Sequence, residues 1–418
     1  MKSKLTANLF VGVRAVVCGI ALLLVVGSRT ADAITLQIDY SYDATAKFFG
    51  TGNPAGAAAG AQAKAALDAA ASYYSQILTD TFSSIQTPPP LQSSVYNSKA
   101  SWTWSMFFDD PSTGSEVEVK DATLGADIYR IYAGARPLSE STLGIGGPGG
   151  RYWARNIAGT GQFTAAESNQ VTQISANFTT AVEDRGETSG FANWGGAITF
   201  NTTSTWSYNH LAAPAASTND FYSVAIHELG HALGLGASSD WNAFTGGTKF
   251  SGPTATSVYG SNPPLNPAKS HWASGTMSTV FGTGTVQEAA MDPEITTGTR
   301  KRLTTLDAAA LTDIGWTVVA PPAPTYNPAD FNEDTFVNGA DLAMWKAAFG
   351  INANGDANND NRTDGSDFLI WQRQFGSPPS DVAAGSGTLA AVPEPHACLL
   401  ALTASAMLFS TCRRRLPL

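Results

Sequence analysis

His227 and His231 stand four residues apart in "HELGHALGLGASSDW", residues 227–241, and this spacing restricts the chain more than any other feature. On a helix of 3.6 residues per turn it stacks both imidazoles on one face. Val224, Ala225, Leu229 and Leu233 fall on the other face, an apolar stripe suited to seating the helix in a core. Gly234 follows, free to take the left-handed conformation that ends a helix and redirects the chain. The stretch predicts a packed helix that offers two imidazoles and the carboxylate of Glu228 on its far side.

Two imidazoles so placed suit zinc at about 2.0 to 2.1 Å from each nitrogen, with the adjacent glutamate within reach of water as a general base. The competing reading is an accidental grouping on a surface helix. With only five histidines in the chain, chance rarely makes this pattern. A catalytic zinc takes three protein ligands, so one remains to be found. Asp240 is near but lies in a loop with a different direction, and Glu288 or Glu294 would suit a glutamate supplied from further downstream. His210 precedes the helix and His396 sits in the C-terminal tail, which leaves His271.

The His-Glu-x-x-His-x-x-Gly pattern is that of a metzincin helix, in which the usual third-ligand position falls here on Ala237. The run from Phe250 to Trp316 resembles the leishmanolysin group of metzincins, in which an insertion delays the third histidine. The matching pieces are "SHW" at Ser270–Trp272, "EAAMDP" at Glu288–Pro293 and a closing helix over Leu303–Trp316. The resemblance implies that His271 is the third zinc ligand and that Met291 is the methionine of the turn beneath the metal. It also implies a zinc-dependent endopeptidase acting on protein or peptide substrates, with Glu228 as general base. Eukaryotic members are tied by many disulfides, whereas this domain has none, and the residues before the helix carry no motif that aligns.

Cysteine occurs only at positions 18, 398 and 412, which excludes a cysteine nucleophile, thiolate-bound zinc and a disulfide framework from the body of the chain. "ITLQIDYSYD" alternates as a strand, and the alanine-rich Ala57–Ile77 has Leu67, Ala71, Tyr74 and Leu78 at helical spacing. Strand candidates follow in "SWTWSMFF", "VEVKDA", "ADIYRIYAG" and "GGAITFNTTSTWSY", with the glycine-rich "GIGGPGGR" read as a loop. The expected class is α+β, a metzincin-like protease domain over residues 34–319 with a mixed sheet and the HExxH helix, followed by a small all-α module.

The ends read as addresses. Lys2, Lys4 and Arg14, an apolar run from Ala15 to Val26 and then Ala31-Asp32-Ala33 form the order of a secretory signal over residues 1–33, with an uncleaved anchor as the alternative. Removing it would take the net charge from -10 to -13, a poor balance for binding nucleic acid. At residues 392–418, "VPEP", an apolar stretch and Arg413–Arg415 resemble a bacterial PEP-CTERM sorting signal. That resemblance implies a membrane sorting enzyme and delivery to the cell surface; a plain tail anchor is the alternative. The stretch is shorter than the ~20 residues of a spanning helix.

Between a proline-rich linker at 320–329 and a second linker at 377–391 lie two similar segments, "DFNEDTFVNGADLAMWKAAFG" from Asp330 and "DANNDNRTDGSDFLIWQRQFG" from Asp356. Asp330, Asn332, Asp334, Asn338 and Asp341 occupy positions 1, 3, 5, 9 and 12 of an EF-hand-like loop, as do Asp356, Asn358, Asp360, Asp364 and Asp367. Such alternating oxygens suit calcium. The pair, residues 330–376, resembles a duplicated dockerin, which implies up to two structural calcium ions and a cohesin-like partner. Thr335 and Asn361 stand where the loop's turn prefers glycine. Two function classes are open at this point: an exported zinc endopeptidase, or an inactive surface or matrix protein that uses a degenerate protease domain for binding. Ala237 favours the second; Glu228, His271 and Met291 favour the first.

Overall fold

The computed structural model describes residues 34–376 except 140, 188, 189, 213, 322–326, 332–335, 359 and 361. The expected leader, the sorting tail, and Asn332 and Asp334 of the first calcium loop lie outside the described residues. Strand β1 (Thr35–Asp39) leads into helix α1 (Ala57–Ile77), which buries Leu67, Ala71 and Tyr74 as their spacing requires. Next come β2 (Leu91–Gln92), β3 (Ser98–Asp109), β4 (Glu116–Lys120), β5 (Ile128–Arg136), β6 (Gly144–Pro148) and β7 (Gly150–Gly159). Helix α2 (Ala165–Glu183), β8 (Gly195–Asn201), the short β9 (Trp206–Ser207) and β10 (Asn219–Asp220), and helix α3 (Phe221–Ala232) follow. Beyond α3 the chain forms α4 (Ser239–Asn242), α5 (Pro253–Tyr259), a hairpin of β11 (Met277–Thr279) and β12 (Val286–Glu288), and α6 (Thr305–Asp313).

The main sheet runs β1-β5-β8-β6, with β1, β5 and β8 parallel and β6 antiparallel at the edge. Its inner strands are apolar on both faces, as strands buried on both sides must be. Ile131, Ala133, Ile198 and Phe200 join Tyr74, Phe221, Ala225 and Leu229 of the helices in one core. A second antiparallel sheet is built on the long β3, which pairs with β4, β2 and β7. Trp102, Trp104, Met106 and Phe108 recur every second residue along β3 and pack with Val171, Phe178 and Val182 of α2.

Three features depart from the sequence expectation. The strands divide between two four-stranded sheets and two separate two-stranded pairs, β9–β10 and β11–β12. The glycine-rich segment read as a loop is β6 and the start of β7. Helix α2 carries no clear helical period in the sequence, because it buries only Glu167, Val171, Phe178 and Val182 and shows solvent a largely polar surface. Its start was nevertheless marked: Thr164 and Glu167 form a reciprocal capping box.

Helices α7 (Gly339–Ala348) and α8 (Gly365–Gln374) close the described chain around a small core of Ala329, Val337, Ala357 and Trp371. The repeats exchange contacts: the Trp345 indole donates to the Asp364 carbonyl and the Trp371 indole to the Asn338 carbonyl, each at 2.9 Å. Among the described residues no helix is long and apolar enough to cross a membrane.

Arg185 ties together the segment after α1 and the entries to β5 and β8. Its buried guanidinium donates to the carbonyls of Ser83, Gly125, Ile128 and Asn193 and lies 5.0 Å from the Phe82 ring centre. Burial pushes its pKa down to about 10. Arg185→Ala should destabilise the protein by about 2 to 4 kcal/mol, because it strands several buried carbonyls at once. The check is a urea midpoint, and a loss below about 0.5 kcal/mol would contradict this role.

Candidate metal centre

Helix α3 is held at both ends before any ligand is considered. Asp220 caps it by accepting from the Ser223 N–H and hydroxyl, and Arg300 grips the same carboxylate with two nitrogens at 2.8 and 2.9 Å. Two buried tyrosines satisfy carbonyls of the helix: Tyr74 donates to Ile226 at 2.9 Å and Tyr129 to Ala232 at 2.6 Å. Gly234 then turns the chain at φ +102°, and Gly236 follows at φ +69°.

The detour that starts at Ala237 returns to the same place at Ser270. A Cβ on Gly236 would fall 1.9 Å from the carbonyl oxygen of Ser270, so only glycine lets the returning loop lie there. Trp241, Phe250 and Trp272 pack ring on ring within the detour, at centroid separations of 4.4 to 5.5 Å. Trp272 is fully buried, and its neighbour His271 is thereby delivered to the helix.

The three imidazoles meet at their Nε2 atoms: His227 to His271 is 3.0 Å, His231 to His271 is 3.0 Å, and His227 to His231 is 3.1 Å. The opposite ring nitrogens are all engaged. His227 Nδ1 donates to the Ala290 carbonyl at 2.7 Å and His231 Nδ1 to the Leu235 carbonyl at 2.8 Å, while the Ser270 hydroxyl lies 2.9 Å from His271 Nδ1. With Nδ1 protonated, each Nε2 keeps a lone pair. Burial holds the rings neutral: it lowers the pKa of His227 and His231, and it pushes His271, with help from His231, down to about 4. Three lone pairs facing one point suit a cation. Zinc at about 2.0 to 2.1 Å from each of three tetrahedral nitrogens would space them by about 3.3 Å, a few tenths wider than here. Among the described residues this is the group of His, Cys, Asp and Glu side chains that gathers closely enough to hold a metal.

Asp307 of α6, absent from the sequence expectations, fixes the floor of the site. Fully buried, it accepts from the Trp272 indole, the backbone N–H groups of Ala290, Met291 and Thr304, and the Thr304 hydroxyl, at 2.6 to 3.2 Å. One carboxylate thus ties together the residue after His271, the turn under the site and the start of α6. Its visible signal was the Thr304–Asp307 capping box. Met291 is buried, and a Cβ on Gly230 would fall 2.7 Å from its sulfur. It therefore packs directly on α3 between the two histidine turns.

Glu228 projects beside the histidines, between α3 and β6. A Cβ on Gly144 would fall 2.6 Å from Glu228 Oε1, and one on Gly146 would fall 2.4 Å from the Glu228 carbonyl oxygen. The glycines let strand and helix touch. Burial raises the Glu228 carboxyl to about 8, opposed by the N–H of Gly146. Glu228 and the histidines share a cavity of about 700 Å³, whose wall includes Gly144, Ala237, Glu294 and Val224; Val224, three residues before His227, thus lies on the histidine side of α3 and not on the apolar face expected from the sequence.

The other ligand candidates do not join the three imidazoles, although Glu294 lines the same cavity. Glu288 pairs with Lys301 at 2.9 Å, Glu294 accepts from Ser274, Asp240 accepts from Ser239, and His210 stacks on Tyr222. In the repeats Asp341 accepts from the N–H groups of Phe331 and Asn338, and Asp367 from those of Ala357, Asn358 and Asp364. Asn338 and Asp364 cap α7 and α8. Around the second loop Asp360 N–H donates to Asp356 and Asn358. Asp330 is buried at the start of the first.

Gly146→Ala should cost about 1 to 3 kcal/mol by forcing β6 from α3. Gly147→Ala, where a Cβ meets nothing within 4 Å, is the matched control and should stay within about 0.5 kcal/mol. Equal urea midpoints for the two variants would refute the close contact.

Residues 164–246, from the cap of α2 through α3 to just beyond α4, match the Matrixin peptidase family. His271, Met291 and the closing helix lie outside the matched stretch. No curated protein and no solved structure matches the chain at a significant level. The Matrixin family uses zinc, and its match supports a metzincin-type metalloprotease domain built on α3.

Proposed function

We propose that the chain is a zinc-dependent endopeptidase in which His227, His231 and His271 hold the metal and Glu228 moves the proton. The observation that carries this is the convergence of three neutral imidazoles beside a buried carboxylate in an open cavity. Zinc bound there would supply Lewis-acid chemistry, polarising a peptide carbonyl and making water easier to deprotonate. The protein's own groups do the rest. Carbonyls of Ala290 and Leu235 fix the tautomer and aim of His227 and His231. Glu228, held between α3 and β6, takes the proton of the attacking water and returns it to the leaving amine. The edge strand β6 can hold the substrate main chain by strand addition, with Gly144 and Gly146 bringing it close to Glu228. The delayed third histidine and Met291 favour a leishmanolysin-like arrangement within the metzincins.

The leader and tail sequences support export and surface sorting, with residues 34–319 as the catalytic part. Residues 330–376 are assigned to a dockerin-like calcium module with a cohesin-like partner, on the strength of their two matched acidic loops and crossed tryptophans.

Glu228→Gln should keep full zinc occupancy by elemental analysis while casein cleavage falls by about 10²- to 10⁴-fold. Turnover retained at the parental level would reject the mechanism. Calcium titrated calorimetrically into the full chain should give binding that weakens in Asp360→Ala; no heat with the parent protein would reject the calcium assignment.

A further inference from the structure

Strands β6 and β7 form one run of chain that changes partner at Gly149. The Asn201 N–H donates to the Leu143 carbonyl at 2.9 Å and the Gly149 N–H to the Gly195 carbonyl at 2.8 Å. By the two-residue alternation of an antiparallel pair, Leu143, Ile145, Gly147 and Gly149 therefore address β8. At the far end the Thr160 N–H donates to the Asn97 carbonyl at 2.8 Å, so Gly150, Tyr152, Ala154 and Asn156 address β3. Residues 149 and 150 are consecutive and face opposite edges. Strand β3 thus occupies, from the Gly150–Phe107 pair onward, the edge that β6 leaves open beside Glu228.

That open edge consists of the backbone groups of Gly144, Gly146 and Pro148. The Gly146 N–H is directed to Glu228 and Pro148 has none, so carbonyl acceptors dominate the edge. At about 3.4 Å per residue the edge is about 14 Å long.

We propose that β3 sets the length of substrate the cleft reads, limiting it to about three or four residues on the N-terminal side of the scissile bond. This rests on the endopeptidase reading of the same site. An added peptide pairs antiparallel to β6, the more stable pairing, and this puts its N-terminal half toward Pro148 and the end of β3. Residues further out find their pairing position already filled and leave the sheet.

The test uses zinc-loaded full chain and peptides with a constant C-terminal half and one to eight residues before the cleaved bond. Chelator-sensitive kcat/KM should climb with each residue to about the fourth and then stay flat within about twofold. A continued climb of tenfold or more beyond that length would overturn the proposal alone. No chelator-sensitive cleavage at any length would overturn the endopeptidase reading, and this proposal with it.

Discussion

Three uncharged ring nitrogens held within 3.1 Å of one another, lone pair toward lone pair, are the constraint around which this protein is built. Left alone, such an arrangement is repulsive, so it must be imposed by the surrounding structure or offset by a cation. The imposition is visible on every side. Carbonyls of Ala290 and Leu235 orient two of the rings, Tyr74 and Tyr129 hold the helix that carries them, and the tryptophan stack of the detour delivers the third. Asp307 closes the system, since one buried carboxylate gathers donors from segments on both sides of the site. A fold that spends this many buried polar contacts on three imidazoles is preorganised for a metal.

The same economy of space governs the other wall. Glu228 and β6 approach so closely that side chains at 144 and 146 would collide with it, and the glycines there admit a backbone edge next to the reacting groups. Glycine in a strand normally weakens it. Here the sheet tolerates that cost because β8 pairs with β6 along its whole length and Trp194, against which Gly149 packs, anchors the bend into the second sheet. The second sheet does more than add a core: by taking over the far end of the edge it shapes the cleft.

Much of this was legible in the chain. The period of "HELGHALG" with its apolar far face specified α3, and the scarcity of histidine singled out His271, which the structure brings to the other two across forty residues of detour. Strands β1, β3, β4, β5 and β8 followed from alternation or apolar runs. Other parts were hidden for physical reasons. Helix α2 buries too few residues for a clear period, and β6 is made of glycine and proline, the composition of a turn, because contact with α3 leaves no room for side chains. Asp307 looks like any polar residue in the first turn of a helix; its importance comes from which backbone groups the fold brings to it.

What sits among the three rings decides the chemistry of the site. X-ray absorption at the zinc edge of the reconstituted full chain, compared with His271→Ala, reads it directly. Three nitrogen neighbours at about 2.0 to 2.1 Å are expected in the parent protein, with the loss of one in the variant. A spectrum with two nitrogens, unchanged by removing His271, would contradict the three-histidine site.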